Sequence, residues 1–428
     1  MRDFRVFRVL RVALALARVL PRYWRLLAIE RFSGRPAEQD AWDAAHRRAA
    51  AEIRRLALAL RGGFVKVAQI AGARADVLPK PFIEELSQFH DDVPPRPFDV
   101  LRTTIESELA APLDAVFASV DERPLGAASL AQVHRARLRD GSDVVIKVQY
   151  PEARRIFPLD LRLARWVAGL IQSMQSVIDL KSLAVEVTRF VEMELDFRRE
   201  AQSTERLGKI LAPLGNVRTP RIHPEYTRDR VIVMEYLEGI QITRTAALRA
   251  AGHRLSDVAR RVGSLYGGMI FEYGFFHGDP HPGNLLVLAD GRIGLLDFGL
   301  CKELPPNFAR SVARMMVSAL IGDGPETLAA ARELGFDIGD VAPEKLRSLM
   351  LRLFGDSADD GDLLQVLGGT RIRRIPEDFA LVLRTMILLN GLSHRLAPGR
   401  RLLQGELLKH LAAGAQAGEG SETATARA

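Results

Sequence analysis

One cysteine, Cys301, serves a chain of 428 residues. That excludes an internal disulfide framework and any metal site built from several thiolates, and it fits a reducing compartment. Cys301 follows "DFGL". A redox role is one reading; a small buried residue is the favoured one. No apolar run reaches the roughly 18–20 residues of a membrane span. A secretory signal is not expected, because arginines interrupt the N-terminal apolar stretch and Pro21 ends it without a small-residue cleavage site. Internal repeats are absent. The basic residues are scattered without aromatic interleaving and no nucleic-acid module is recognisable, so nucleic acid is not expected as a partner.

What is present is a globular composition, 47% hydrophobic and 26% charged. The length exceeds one ordinary core, so two or more packed units are expected. A net charge of +7 and a pI of about 9.7 suit an anionic partner, a nucleotide or a phospholipid.

The N-terminus, "MRDFRVFRVLRVALALARVLPRYWRLL", is a basic amphipathic helix. On a helical wheel Arg8, Arg11, Arg18 and Arg22 gather on one side and Val9, Val12, Leu16 and Leu20 on another. Arginines on a polar face, with Phe and Trp nearby, suit a helix lying on an anionic membrane surface. A helix docked on the protein's own core fits the pattern equally well. A mitochondrial transit peptide ranks last, for want of serines.

Residues 1–40 thus hold this helix and a connector, and 41–120 a helical stretch broken by "LPKP" and "DDVPPRP". Residues 121–240 open with alternation around Asp140-Gly141, a hairpin signal, and "SDVVIKVQY" is its second strand. Helical periodicity returns from 158 to 212, and "RVIVMEYLEG" is a short apolar strand. Residues 241–412 are mostly helical, with a second hairpin turned at Asp290-Gly291. The small polar tail 413–428 is expected to be disordered. The fold class is α+β, with a cleft expected between the sheet and the helical lobe.

The chemistry concentrates in "FFHGDPHPGNLLVLADGRIGLLDFGL", residues 275–300. A hairpin closed at Asp290-Gly291 brings Asn284 and Asp297 to adjacent strand ends. An amide oxygen and a carboxylate are hard ligands suited to Mg²⁺ and its phosphates. Asp279 could orient or deprotonate a nucleophile. Zinc at His277 and His281 is a weak alternative, since no third ligand has metal-site spacing. Lys147 in the apolar strand is costly to bury unpaired. It is either a surface lysine on an edge strand or one aimed at phosphates and held by a carboxylate. "VEMELDFRREAQ" offers Glu194, Asp196 and Glu200 for that purpose. Together these are the parts of phosphoryl transfer from ATP.

From about Arg61 to Leu408 the chain resembles the UbiB/AarF atypical kinase-like family. The motifs are, in order, "VKVAQIAGARADVLPKPFIEELSQFHDDVPP" (the KxGQ region), "PLGAASLAQVHRA" (an alanine-rich nucleotide loop), "VVIKVQYP", "ELDFRREA", "HGDPHPGN" and "DFG". The resemblance implies a two-lobed protein-kinase-like fold with an N-terminal helical extension. It implies that Lys147 contacts nucleotide phosphates and pairs with Glu200, and that Glu194 and Asp196 form the ExD motif. Asp279 takes the catalytic-loop position; Asn284 and Asp297 hold Mg²⁺. Lys66 and Gln69 belong to the segment that covers the active site. Gly126, Ala127, Ala128 and Ser129 form the nucleotide loop, and Glu235, Tyr236 and Leu237 the hinge that meets adenine. Ala68 replaces the KxGQ glycine, adding a methyl where the helix is expected to approach another backbone. After "DFG" there is no "APE" and no room for a long activation loop, so broad protein-kinase activity is not expected.

The resemblance further implies ATP (or ADP) and Mg²⁺ as cofactors, and a kinase or ATPase that supports isoprenoid-quinone (ubiquinone-type) biosynthesis. It would work in the bacterial cytoplasm at an anionic membrane surface, beside quinone lipids or their biosynthetic enzymes; a mitochondrial matrix location ranks lower. Rival readings are a small-molecule kinase and a non-catalytic nucleotide-responsive scaffold. The phosphoryl acceptor and the oligomeric state, a dimer among the options, stay open.

Overall fold

The computed structural model describes residues 2–35, 38–60, 62–72, 78–86, 95–173, 180–338, 343–344, 346–347, 376–398 and 402–425. The chain divides into two compact units, residues 1–197 with 224–233, and residues 198–223 with 234–428.

The first unit begins with helices α1 (Arg2–Ser33), α2 (Gln39–Leu60), α3 (Gly63–Gly72), α4 (Lys80–Leu86), α5 (Phe98–Leu109) and α6 (Leu113–Val116). Strands β1 (Phe117–Val120), β2 (Gly126–Ala127), β3 (Ala131–Leu138) and β4 (Asp143–Gln149) follow, then α7 (Ala153–Gln172) and α8 (Leu180–Glu194). The sheet runs β1-β3-β4 and continues into the strand Val231–Glu235, with β2 also pairing β3. The β3–β4 hairpin is in the expected register, Ala136 opposite Val144, and Gly141 at its turn has φ +90°. Val144, Ile146 and Val148 point alternately into the core with no exposed surface.

A second cluster joins Val12 of α1, Ala57 and Leu60 of α2, Phe64, Val65 and Ala68 of α3, and Leu86 of α4. The methyl of Ala68 is absorbed there. The close backbone approach on α3 falls at Gly72 instead, where a Cβ would stand 2.9 Å from the main chain of Leu86.

The docking of α1 corrects one expectation. Arg8 does not join a solvent face with Arg11, Arg18 and Arg22; it is buried against Asp160 of α7, whose carboxylate accepts its Nε at 2.8 Å. Val12 and Ala15 are buried beside it, whereas Val9 is exposed. The outward face carries exposed Val6, Phe7, Leu10, Leu14 and Trp24 among exposed Arg11, Arg18, Arg22 and Arg25.

The second unit holds α9 (Phe197–Leu211) from its second residue, β5 (Val217–Arg218), the end of β6 (Val231–Glu235), β7 (Ile240–Gln241), α10 (Thr245–Ala250) and α11 (Leu255–Gly267). A π-helical turn (Gly268–Glu272) extends α11. Then come β8 (Phe275–His277), β9 (Leu285–Val287), β10 (Ile293–Leu295), β11 (Cys301–Glu303), α12 (Phe308–Ile321) and α13 (Gly324–Glu333). Helices Glu377–Leu396 and Leu402–Thr425 close the unit. One sheet has the order β5-β10-β9-β7, and β8 pairs with β11 in another.

The tail read as disordered from residue 413 instead continues the last helix to Thr425. Its alanines favour helix, and Gly414 lets the helix seat directly on the π-turn: a Cβ there would overlap the Phe271 carbonyl. Among the described residues no helix is long and apolar enough to cross a membrane.

Candidate active site

In the first unit, Lys147 lies opposite Val133 and is half-buried, on the face of β4 opposite to Val144, Ile146 and Val148. Its Nζ stands 5.4 Å from the centre of the Phe197 ring, a cation–π distance. Two residues on, Gln149 Nε2 donates to the Leu195 carbonyl at 2.7 Å. That bond ties the lysine strand to the Glu194–Asp196 turn. Glu194 closes α8, and its Oε1 meets Lys66 Nζ at 2.5 Å. The pair is mostly buried, with 20% and 24% of the two side chains exposed. Asp196 is exposed. The side chain of Gln69 lies outside the described residues.

The alanine-rich loop is built from β2, a turn and β3. Gly126 pairs with Val133 and Ala127 with Gln132, and the Ala128 amide donates to the Ala131 carbonyl at 2.9 Å. Ser129 is buried. A Cβ on Gly126 would meet nothing within 4 Å, so packing does not demand glycine there.

In the second unit, β9 and β10 pair antiparallel with Leu285 opposite Leu295. The Leu296 amide donates to the Asn284 carbonyl at 2.9 Å, so Asn284 and Asp297 flank the same strand end. Asn284 Nδ2 donates to Oδ2 of Asp279 at 3.1 Å and to its main-chain carbonyl at 3.2 Å. This directs the amide nitrogen to Asp279 and leaves the amide oxygen as the atom for a cation. Asp297 adopts the left-handed conformation, φ +56°, uncommon for any residue but glycine and better tolerated by Asp than by most. Its own Oδ1 accepts the Gly299 amide at 3.2 Å, which steadies the turn.

Behind that turn lies His277, fully buried. Its Nε2 donates to the carbonyls of Leu296 (3.1 Å) and Asp297 (2.6 Å), and its Nδ1 accepts from the Tyr266 hydroxyl at 3.0 Å. Both ring nitrogens are engaged, so His277 is a strut under Asp297 and not a metal ligand. Burial raises the Tyr266 hydroxyl well above its ordinary pKa, which keeps it a donor.

Asp279 has a second partner that the sequence did not point to. Arg384, on the Glu377–Leu396 helix, donates from Nη2 to Asp279 Oδ1 at 3.1 Å, and Thr385 Oγ1 donates to the Gly278 carbonyl at 3.2 Å. A lone arginine in the apolar run "LVLRTMILL" was the available signal.

Glu200 is buried in α9 of the second unit, whereas Lys147 belongs to the first. In the hinge segment, the Glu235 amide donates to the Arg221 carbonyl at 2.8 Å, and its carboxylate takes Arg218 and the Arg221 amide. That amide is therefore not available to a base. Leu237 is buried with Leu286 and Leu288.

Among the described residues no three His, Cys, Asp or Glu side chains cluster with metal-holding geometry. One carboxylate and one amide oxygen fit Mg²⁺, which keeps several waters or phosphate oxygens of its own.

Comparison with known proteins bears on this arrangement. The model of the ABC1 atypical kinase-like domain matches residues 88–330. An uncharacterized chloroplastic aarF domain-containing protein kinase of Arabidopsis thaliana is 32% identical over 372 residues, 83% of this chain and 52% of that protein. AarF domain-containing protein kinase 1 of Xenopus tropicalis is 33% identical over 340 residues, 78% of this chain and 64% of its own. An uncharacterized Synechocystis protein is 31% identical over 388 residues, covering 84% and 68%. The chain spans about half the length of the Arabidopsis relative (52%). A Mycobacterium tuberculosis protein solved in complex with erythromycin shares the fold, with a TM-score of 0.55, 23% identity, and 85% and 99% of the two chains covered.

Proposed function

The chain belongs to the ABC1 atypical kinase-like family, the UbiB/AarF group, and on that basis we propose that it binds ATP with Mg²⁺ and transfers or hydrolyses its terminal phosphoryl group. The observation that carries this reading is the Asn284 amide. It is tied to Asp279 by its nitrogen and set beside Asp297 by its backbone. Such an arrangement supports a cation at one side of the amide and a proton acceptor at the other.

A Mg²⁺ held by Asn284 and Asp297 would offset charge on the phosphates. The chain's own groups do the rest. Asp279, gripped through both carboxylate oxygens by Asn284 and Arg384, is oriented to take a proton from a hydroxyl or water. Lys147, half-buried on its strand, is suited to a phosphate oxygen, with Glu200 as its proposed partner. Gly126 to Ser129 would lie along the phosphates, and Glu235 to Leu237 along the base. Lys66, held by Glu194 and followed by Gln69, together with Asp196 would limit which acceptor enters.

The proposed role is support of isoprenoid-quinone biosynthesis at a membrane surface, with the outward face of α1 as the contact. Exposed Val6, Leu10, Leu14 and Trp24 among arginines match an anionic bilayer surface. Two measurements test the reading: Mg²⁺-dependent ATP turnover by the purified full chain, and a quinone profile of lipids from a strain lacking it. Absence of ATP turnover and of nucleotide binding overturns the enzymatic part. An unchanged quinone profile overturns the pathway.

A further inference from the structure

The buried start of α3 is fastened by a polar junction that the proposed chemistry does not use. Asp160 of α7 has no exposed surface. Its carboxylate accepts Arg8 Nε at 2.8 Å, and Arg8 Nη2 closes the second arm. The same carboxylate accepts the amides of Gly63 and Phe64, the first two residues of α3. Arg8 Nη1 donates to the carbonyl of Leu60, the last residue of α2, at 2.8 Å. The guanidinium also sits 5.7 Å from the centre of the Phe64 ring. Gly63 leaves just enough room: a Cβ there would stand 2.7 Å from Asp160 Oδ2. One guanidinium and one carboxylate thus join α1, α2, α3 and α7.

Three residues along α3 from Gly63 stands Lys66. The helix has ten residues, too few to hold itself in water. Its sequence, "GFVKVAQIAG", is apolar almost all the way round: Phe64, Val65, Val67, Ala68, Ile70 and Ala71 leave only Lys66 and Gln69 polar. Apolar packing is non-directional and does little to choose among rotations of such a helix. A slip of one residue turns every side chain by about 100° and carries Lys66 away from Glu194. Directional bonds at the helix start remove that freedom. A buried ion pair is often no more stabilising than an apolar substitute of the same shape, and fixing register is its best-attested use.

We propose that Arg8 and Asp160 are positioning residues for Lys66: they set the rotation and axial placement of α3 so that Lys66 meets Glu194. This rests on the reading of Lys66 as part of the site.

Removing one partner alone would strand a buried charge and could unfold the chain, so the test replaces both, Arg8→Met with Asp160→Asn. Full-length protein is studied with and without Lys66→Ala. The paired replacement should change Mg²⁺-ATP turnover by about as much as Lys66→Ala does, and adding Lys66→Ala should then do nothing further. A separate readout is geometric. In a chain carrying Lys66→Cys and Glu194→Cys, a short bis-maleimide should link the two thiols, and the paired replacement should slow linking about tenfold. Unchanged linking overturns the proposal, as does a Lys66→Ala effect of equal fold in both backgrounds. Should linking slow while Lys66→Ala itself leaves turnover at the parental value, placement of Lys66 stands and the reading of Lys66 as a site residue fails.

Discussion

Lys66 and Glu194 meet at 2.5 Å between α3 and α8, mostly buried, and Glu194 immediately precedes the residue bonded to the Lys147 strand. A lysine in so apolar a helix would be an odd choice for packing alone, because lysine is seldom buried unless paired. Replacing Lys66 with Ala should leave the melting temperature near the parent, since both side chains keep an exposed edge at which water can take up the unpaired Glu194 carboxylate. ATP turnover or self-phosphorylation should change about tenfold, and Glu194→Gln should move it the same way. Parental activity in both variants, measured with thermal melts as the control, would show the pair to be ordinary surface electrostatics.

Asp297 offers the only charged oxygen ligand of the proposed pair. Asp297→Asn keeps the left-handed turn, which Asn tolerates, and removes the charge. Mg²⁺-dependent ATP affinity should fall by at least about tenfold, the loss that even an outer-shell change produces. Calorimetric titration with and without Mg²⁺ decides this. If the variant binds Mg²⁺-ATP as the parent does, the cation is held elsewhere.

The outward face of α1 gives a sharper membrane test than deletion, since deletion would also remove Arg8 from its buried junction. Leu10→Glu combined with Leu14→Glu changes only exposed positions. Flotation with anionic vesicles should be lost, and parental flotation should weaken with salt, because each basic side chain near the surface contributes roughly 1 kcal/mol and salt screens it. Equal flotation of parent and variant, or indifference to lipid charge, leaves α1 as a structural helix alone.

Cys301 is 1% exposed, and burial pushes its thiol far above the ordinary value, with Glu200 and Asp297 adding to the rise. It therefore stays protonated across neutral pH, and the thiolate is the reactive form. Ellman's reagent should find almost no thiol in the native protein and one equivalent after denaturation. Rapid native labelling would reopen a redox role.

Both hairpins were legible because Asp-Gly turns are local signals, and the glycines at 141 and 291 do adopt positive φ. So was the placing of Asn284 beside Asp297, which follows from the turn. What escaped were partners far apart in sequence. Arg384 and Asp279 are separated by 105 residues, and Arg8 and Asp160 by 152. Periodicity reports which face of a helix is apolar and says nothing of which distant carboxylate lies against it. The wheel put Arg8 among solvated arginines for that reason. The tail misled differently: so small and polar a stretch has little to bury, but a glycine that is itself the contact lets the helix continue.

The glycine contacts of the last helix fix how the gene can be altered by insertion or deletion. Gly263 abuts the backbone of Leu403, Gly267 abuts His410, and Gly414 abuts the carbonyl of Phe271, each too close to take another carbon without a shift. Adding or removing one codon between 403 and 414 would turn everything beyond it by about 100° and bring a side chain onto a surface with no gap to receive it. Substitutions on the solvent side of this helix should be absorbed, whereas single-residue indels should not. A reporter fused to the chain is best joined after Gly414.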